Sequence, residues 1–357
     1  MDWIEQAVQL IAHTLSTTLP DGILKELIVN GIIAGVGGVI IFLPNILILY
    51  TLISWMEDSG YMARAAFIMD KIMHRMGLHG KSFIPMIMGF GCGIPAIMAT
   101  RTIEDRKSRI ITMLIIPFMS CSARLPVYII IISAFFPTHS ALVLFSLYII
   151  GIITSVFMAH ILSKYVVKGD SSPFVMELPP YRLPSNKSVL RHTWEKGRQY
   201  LHKMATTILA ASIIIWALTY FPTSSNNNIE ESYIGQIGQI IEPVMKPCGF
   251  NWQEDVSLLT GLGAKEIVAS TMSVLYKAND QTLAQALTNS GMTPLTAYSF
   301  LIFVLLYMPC LPVCIAIHNE SQKTKYAIFT AIYTTLIAWI ASTLIYQTGH
   351  ILQTIFN

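Results

Sequence analysis

Four of the five cysteines lie in apolar stretches that glycine or proline interrupts. Cys92 stands in GFGCGIPA, Cys121 in MSCSARLP, and Cys310 and Cys314 in YMPCLPVC. At membrane depth, unwound backbone is tolerated only where it lines a cavity or is buried in protein. These thiols are therefore candidates for a site inside the protein.

A further broken stretch, GLGAKE, contributes Lys265 and Glu266. Thiolates and thioethers select softer transition metals, whereas carboxylates accept harder ones, so this set suits a borderline divalent ion such as Fe²⁺ or Zn²⁺. Three or four ligands from mobile elements allow a transported ion to leave, unlike a closed cage. We predict a metal site formed by Cys92, Cys121 and Cys310, with Glu266 near them.

The same residues have plainer interpretations. Cysteine is often buried and packs as a small hydrophobe, so each thiol could serve packing alone. The thiol of Cys248, expected in an external loop, is assigned a structural role. The lower-ranked neighbours of the predicted site are Cys314, Ser120, Met119 and Met308.

Charges inside apolar spans are costly unless they are paired or hydrated, so Arg124, Lys265 and Glu266 need partners. We expect these partners to be one another and an ionic group that follows the first long apolar run. That group comprises Glu57, Asp58, Arg64 and Asp70. Asp58 or Glu57 could serve as an entrance ligand or gate, or form an ordinary interfacial ion pair. Lys265 could hold Glu266 ionised until a cation arrives, or form a permanent salt bridge.

The composition excludes a soluble enzyme. Of 357 residues, 54% are hydrophobic and 12% charged, and the mean hydropathy is +0.58. A soluble domain is about 25% charged. The net charge of +3 gives no reason to expect a nucleic-acid partner. The chain lacks an HExxH or GxSxG motif, and we predict a non-enzymatic membrane protein.

The apolar runs predict an all-α polytopic membrane protein with about eight transmembrane helices, because about 20 apolar residues cross a bilayer. A short helix is expected over Tyr61–His74. The predicted spans are Gly31–Met56, Ser82–Thr100, Ile110–Phe136, Ser140–Leu162, Met204–Phe221, Val256–Tyr276, Leu295–Ile317 and Tyr326–Tyr346.

Loop charges predict the orientation. Residues 164–203 hold eight Lys or Arg and three acids, whereas residues 223–255 hold five acids and one Lys. The positive-inside rule places the first stretch in the cytoplasm and the second outside, with both termini cytoplasmic. Within the basic stretch, apolar residues from Leu190 to Met204 recur at helical spacing, which predicts an interfacial helix.

An internal repeat supports duplicated broken helices, which in secondary transporters mark a site near the bilayer midplane. Whether the repeats are parallel or inverted stays open. The pairs at an offset of 172 residues are Asp70 with Glu242, Met73 with Met245, Gly77 with Gly249, Gly89 with Gly261, and Gly91 with Gly263. The predicted organisation is an amphipathic segment (1–27), a first gate repeat (28–163), a basic connector (164–203) and a second gate repeat (204–357).

The motifs resemble a known family. In a fixed order from about residue 28 to the end, the chain contains FLPNILILYTLISWMEDSGYMARAAFIMDKIM, GFGCGIPAIMATRT, PFMSCSARLPVY, GLGAKEIV and YMPCLPV. These are similar to the membrane domain of the FeoB ferrous iron transporters, with its two gate-type repeats. The resemblance implies Fe²⁺ uptake across the bacterial inner membrane. It places the thiols of the iron path on Cys92, Cys121 and Cys310, and a Lys-Glu pair on Lys265 and Glu266.

One departure concerns GTP. FeoB proteins usually begin with a cytoplasmic GTPase domain, but this chain has neither a GxxxxGKS phosphate loop nor an NKxD signature, since NKSV at Asn186 differs at the last position. We expect GTP to act only through a GTPase that is a separate polypeptide or has been removed. A transporter of Mn²⁺ or Zn²⁺, and a non-transporting gate-type protein that binds a partner or senses metal, stay as alternatives. Homo-oligomerisation also stays open.

Overall fold

The structure, a computed structural model, describes residues 2–18, 20, 22–167, 181–222, 232–276 and 283–356, and most of these residues are helical. No strand occurs among them, which confirms the predicted all-α class. The helices are α1 (Asp2–Thr18), α2 (Ile23–Glu26), α3 (Ala34–Asp58), α4 (Tyr61–Arg75), α5 (Phe83–Gly91), α6 (Gly93–Ala99), α7 (Arg106–Ile115), α8 (Leu125–Phe135), α9 (Ser140–Ile161), α10 (Asn186–Tyr220), α11 (Tyr233–Met245), α12 (Trp252–Thr260), α13 (Ile267–Leu275), α14 (Leu283–Asn289), α15 (Pro294–Leu306), α16 (Leu311–Ser321) and α17 (Thr324–Phe356).

The helices form two compact units. Unit one comprises Met1–Ala65 and Met176–Ile234, and unit two comprises Ala66–Val175 and Gly235–Asn357. This division follows spatial contacts, whereas the four predicted segments followed the repeat and the loop charges, so those segments stay a prediction.

Unit one is built on the packing of α3 against α10. Gly197 of α10 allows the close approach, because a Cβ there would lie 2.6 Å from the Leu47 side chain of α3. The Thr193 hydroxyl also donates a hydrogen bond to the Thr51 hydroxyl at 3.3 Å. The first long apolar run therefore lies at the centre of its unit.

Helix α10 is longer than the sequence suggested. It runs for 35 residues without interruption, where an interfacial helix followed by a separate span was expected. No proline lies inside it and its single glycine, Gly197, is used for packing, so helix formation continues from the basic turns into the apolar ones. Leu190 and Trp194 of the predicted interfacial face are exposed.

Unit two contains the predicted duplication. Helix α4 and helix α11 each end before a glycine in the left-handed region, Gly77 at φ 75° and Gly249 at φ 84°. The next helices, α5 and α12, have nine residues each and are followed by a break and a second short helix. After a longer helix and another break, α8 and α16 have eleven residues each, and α9 and α17 complete the repeats. The duplicated broken helices are confirmed.

Specific contacts join the two repeats of unit two. The Arg101 guanidinium, after α6, donates to the Glu320 carboxylate of α16 at 2.6 Å. The Tyr333 hydroxyl of α17 donates to the Leu114 carbonyl of α7. These contacts fix the ends of the broken helices against each other.

Helix α7 begins at a well-formed cap. Asp105 accepts hydrogen bonds from the Lys107 amide at 3.3 Å and from the Ser108 amide at 2.8 Å. Burial alone would raise the pKa of Asp105, but these bonds and one from the Ser108 hydroxyl lower that pKa below its usual value. The ionised Asp105 therefore caps α7 and stabilises its first turn.

Four segments of the described residues are long and apolar enough to cross a membrane: Arg106–Phe135, Ser140–Val166, Pro294–Ser321 and Thr324–Ile355. The nine-residue helices α5 and α12 are each about 14 Å long, under half of a hydrocarbon core of about 30 Å. Each therefore reaches only part of the way across. The count of eight crossings stays a prediction.

Parts of the segments used to predict orientation lie outside the described residues. These parts are 168–180 in the basic stretch, 223–231 in the acidic stretch and 277–282 in the hydrophilic link between the last broken helices. The cytoplasmic placement of both termini stays a prediction.

We expect Gly249→Ala to destabilise the protein more than Gly291→Ala. Both glycines have positive φ, which costs an L-residue about 1–2 kcal/mol. A Cβ at Gly249 would also overlap the Tyr346 ring, whereas a Cβ at Gly291 meets no atom within 4 Å. Thermal unfolding in lipid nanodiscs measures the difference, and equal losses would show that the turn after α11 is not tightly packed.

Candidate metal site

The first break is a single residue. Cys92 has extended backbone angles, φ −151° and ψ 133°, and it separates α5 from α6. Glycines on both sides and Pro95 lower the free-energy cost of this interruption, because these residues favour helix ends. The Ser122 hydroxyl donates to the Gly91 carbonyl at 2.8 Å and so occupies an acceptor at the break. Cys92 lies where the sequence predicted it.

The second break, after α7, is held open by a buried arginine. Arg124 is 2% exposed, and its guanidinium donates to the Met119 carbonyl at 3.1 Å and to the Pro117 carbonyl at 3.3 Å. Cys121 is in an extended conformation between two short 3₁₀ turns. The predicted pairing of Arg124 with a carboxylate is therefore wrong among the described residues, because two backbone carbonyls accept from its terminal nitrogens and its Nε has no hydrogen-bond partner there.

The third break contains the second buried cation, Lys265, which is 3% exposed. Its ammonium donates to the Met308 carbonyl at 2.6 Å and lies 3.0 Å from the centre of the Tyr307 ring. Within the described part of the chain, Lys265 makes no ion pair with Glu266. Adjacent side chains on a turn do not face each other, which explains why the expected pair does not form.

The fourth break, between α15 and α16, is tied to the third. The Leu311 amide donates to the Leu262 carbonyl at 2.9 Å, so the start of α16 is fixed against the turn after α12. Cys310 is extended and precedes α16. The Cys314 thiol lies 4.0 Å from the Pro309 carbonyl. This contact with the backbone explains the position of the thiol without a role as a metal ligand.

The breaks bring the predicted thiols into one neighbourhood. Cys92 interacts electrostatically with Cys121, Cys310 and Glu266. Cys310 also interacts with Lys265, and that ammonium lies within range of Arg124. We call Cys92, Cys121, Cys310 and Glu266 the thiol cluster.

The thiol cluster is not a closed coordination shell. Among the described residues, no three His, Cys, Asp or Glu side chains come together closely enough to hold a metal ion. A resident structural metal needs such a shell, whereas a passing ion does not. The ligand assignment therefore stays a prediction.

The lower-ranked residues have identifiable contacts. The Ser120 hydroxyl is 3.5 Å from the Tyr128 hydroxyl in a buried setting. The Met119 side chain packs against Gly89, where a Cβ would lie 3.1 Å from it. Met308 holds Lys265 through its backbone carbonyl. Packing or backbone contacts explain these residues without a thioether ligand.

Two acids of the predicted ionic group lie in unit one. Glu57 and Asp58 form the end of α3. Arg64, also in unit one, lies with its guanidinium carbon 3.4 Å from the centre of the Tyr181 ring. An entrance or gating role for Glu57 and Asp58 stays a prediction.

Asp70, in unit two, fixes a turn. Its carboxylate accepts a hydrogen bond from the Gly80 amide at 2.8 Å. A Cβ at Gly80 would lie 2.5 Å from the Ala66 carbonyl, so only glycine allows this approach. A structural contact accounts for Asp70, and its gating role stays a prediction.

Sequence reasoning missed Tyr307. Its buried ring carries the Lys265 ammonium, and its hydroxyl meets no hydrogen-bond partner among the described residues. The motif YMPC places an aromatic residue at the start of the break, but tyrosine is common in apolar sequences, so the motif alone did not reveal this role.

We expect Arg124→Met to lower the free energy of unfolding by about 3 kcal/mol, because hydrogen bonds to a charged donor are worth about 1.5–3 kcal/mol and two buried carbonyls lose theirs. Arg191→Met is the control. Arg191 is exposed and pairs with Glu195 at 3.2 Å, an interaction worth about 0.5 kcal/mol. Denaturant unfolding in mild detergent measures both, and an equal, small loss would contradict the structural role of Arg124.

Comparison with known proteins identifies the family. A family model called Gate, described as "Nucleoside recognition", matches residues 39–135 and 201–324. A second model, described as "Ferrous iron transport protein B C terminus", matches residues 144–196. No solved structure matches the chain.

Curated relatives cover nearly all of the chain. A protein of Porphyromonas gingivalis named "Fe(2+) transport protein A/Fe(2+) transporter FeoB fusion protein" is 50% identical over 98% of the chain and 47% of its own length. Proteins named "Fe(2+) transporter FeoB" are 45% identical in Staphylococcus aureus, over 92% of the chain and 50% of the relative, and 43% identical in Campylobacter jejuni, over 96% and 58%. The chain spans about half the length of the curated relatives it matches. The Gate model covers more than half of the residues, and relatives of this similarity cover nearly all of them. The chain therefore belongs to the FeoB family of ferrous iron transporters and corresponds to its membrane part.

Proposed function

We propose that the chain carries Fe²⁺ across the bacterial inner membrane along a path lined by the thiol cluster. The observation that supports this most is that Cys92, Cys121 and Cys310, each from a different break, lie within electrostatic range of one another. The relatives in Staphylococcus aureus and Campylobacter jejuni are named Fe(2+) transporters, which agrees with the proposal.

The chemistry of the cluster suits Fe²⁺ as a substrate. Sulfur ligands favour softer metals and a carboxylate favours harder ones, so three thiols with Glu266 match an ion of borderline character. Because these groups stand on separate short helices, small movements of the helices would assemble or disperse the ligands. Such an arrangement binds an ion tightly enough to select it and weakly enough to release it.

Lys265 provides a means of gating. Its ammonium interacts electrostatically with Cys121 and Cys310, so it opposes a cation among the thiols. The Met308 carbonyl and the Tyr307 ring hold it there. We propose that the path opens for Fe²⁺ when Lys265 leaves this position.

A GTPase is proposed to control this movement. GTP would bind to a cytoplasmic GTPase domain, on another polypeptide or elsewhere in a longer protein, and not to the residues of this chain. Both termini of the chain would then lie on the cytoplasmic side, where such a domain can act on them. Homo-oligomerisation stays open in this proposal.

Substituting the cluster thiols tests the path. We expect Cys92→Ser, Cys121→Ser and Cys310→Ser each to reduce Fe²⁺ uptake about tenfold or more, since even losing a partner of a ligand costs 10–100-fold. The measurement is Fe²⁺ uptake into liposomes that contain the protein and its GTPase.

Cys248→Ser is the matched control. Cys248 is fully buried, and its sulfur lies 3.2 Å from the Thr343 hydroxyl, a contact that serine can reproduce. It should transport like the unchanged protein. Undiminished Fe²⁺ flux in all three cluster variants would contradict the proposed path.

Removing the charge of Lys265 tests the gate. Lys265→Gln should bind Fe²⁺ several-fold more tightly, because the cation that opposes the metal is gone while an amide donor for the Met308 carbonyl is kept. Lys325→Gln is the control, since Lys325 also lies over a tyrosine ring, 5.1 Å from the centre of Tyr326, but is exposed. Calorimetric titration with Fe²⁺ under anaerobic conditions measures both, and weaker binding by Lys265→Gln would contradict the gating role.

A further inference from the structure

The second repeat contains a buried carboxyl group that the thiol cluster does not use. Asp255 lies in α12 and is 1% exposed. Neither of its carboxyl oxygens meets a hydrogen-bond donor among the described residues. An ionised carboxylate that is buried without donors or a counter-charge is strongly unfavourable.

The charged and titratable groups around Asp255 make ionisation still less favourable. From its own helix it interacts with Glu254, from α11 with Glu242, and from the turn after α11 with Cys248. Two of these groups are acids, the third is a thiol, and none is a base. A negative charge on Asp255 would therefore be repelled and not balanced.

The neighbouring acid is differently placed. Glu254 accepts hydrogen bonds from the Asn251 amide at 3.0 Å and from the Tyr276 hydroxyl at 2.7 Å. Glu254 thereby acts as the acidic residue that stabilises the first turn of α12. Asp255 is left without such a role, so the two acids are chemically distinct.

The missing partner of Asp255 is best supplied by a proton. A metal ion needs several ligands, and no three candidate side chains come together around Asp255 or elsewhere in the described ranges. A proton needs only one carboxyl oxygen and removes the charge at once. The corresponding helix of the first repeat, α5, contains no acid, so this feature belongs to the second repeat alone.

We propose that Asp255 is a proton-binding site that couples the position of α12 to pH. In the packed conformation a carboxyl oxygen of Asp255 carries a proton taken from water, and the side chain is a neutral acid. When α12 moves and exposes Asp255, the proton returns to water and leaves the carboxylate. The packed position of α12 is therefore favoured at low pH and disfavoured as pH rises.

Infrared spectroscopy of the whole chain in lipid nanodiscs tests the protonation directly. At neutral pH we expect a carbonyl band of a protonated carboxylic acid that Asp255→Asn removes. Glu242→Gln is the control, because Glu242 is only partly buried, so the band should persist in this variant. A spectrum that Asp255→Asn leaves unchanged would show that Asp255 is ionised, by a bound cation or by water, and would overturn the proposal.

A second measurement does not depend on the folding of the Asn variant. With the unchanged protein, raising the pH should lower the thermal unfolding temperature while the acid band persists, because the unfolded chain releases the Asp255 proton at a lower pH than the packed one does. Asp255→Glu, which keeps the carboxyl, should shift the band without abolishing it. An unfolding temperature that does not fall over the pH range in which the band persists would contradict the coupling. Neither readout involves iron, so failure here would leave the proposed transport function untouched.

Discussion

The fold of unit two depends on supplying hydrogen bonds to backbone carbonyls where apolar helices stop. In an apolar environment an unpaired backbone group is costly, so a helix can break only where other groups replace its bonds. Arg124 donates to the carbonyls of Met119 and Pro117, and Lys265 donates to that of Met308. Ser122 donates to a carbonyl beside Cys92. These donors allow the breaks to exist.

The breaks in turn create the thiol cluster. In a continuous helix the backbone hydrogen bonds run along the helix axis. Where a helix is broken, side chains at the interruption face the neighbouring breaks. Cys92, Cys121 and Cys310 each lie at such a point and interact across the repeats. Lys265, one of the two cations that stabilise the breaks, also places positive charge near the thiols of Cys121 and Cys310. The same side chain thus supports a break and is proposed to control a passing cation.

Much of this arrangement could be predicted from the sequence. Glycine and proline locate the breaks, and the duplication follows from Gly77 and Gly249, which take the same left-handed turn. The partners of Arg124 and Lys265 could not be predicted, because charged residues are visible in a sequence and free backbone carbonyls are not. The continuity of α10 was missed because a change from basic to apolar residues looks like a boundary although nothing in it stops a helix. The isolation of Asp255 is a matter of packing, which the sequence does not show.

The central claim is that Fe²⁺ meets sulfur from three separate breaks of the helices. Iron X-ray absorption spectroscopy on the Fe²⁺-loaded protein, purified without oxygen, tests this most directly. The account predicts sulfur in the first coordination shell of iron, and a stepwise loss of that sulfur when Cys92, Cys121 and Cys310 are replaced by serine one after another. A first shell of oxygen and nitrogen alone, unchanged by these substitutions, would contradict it.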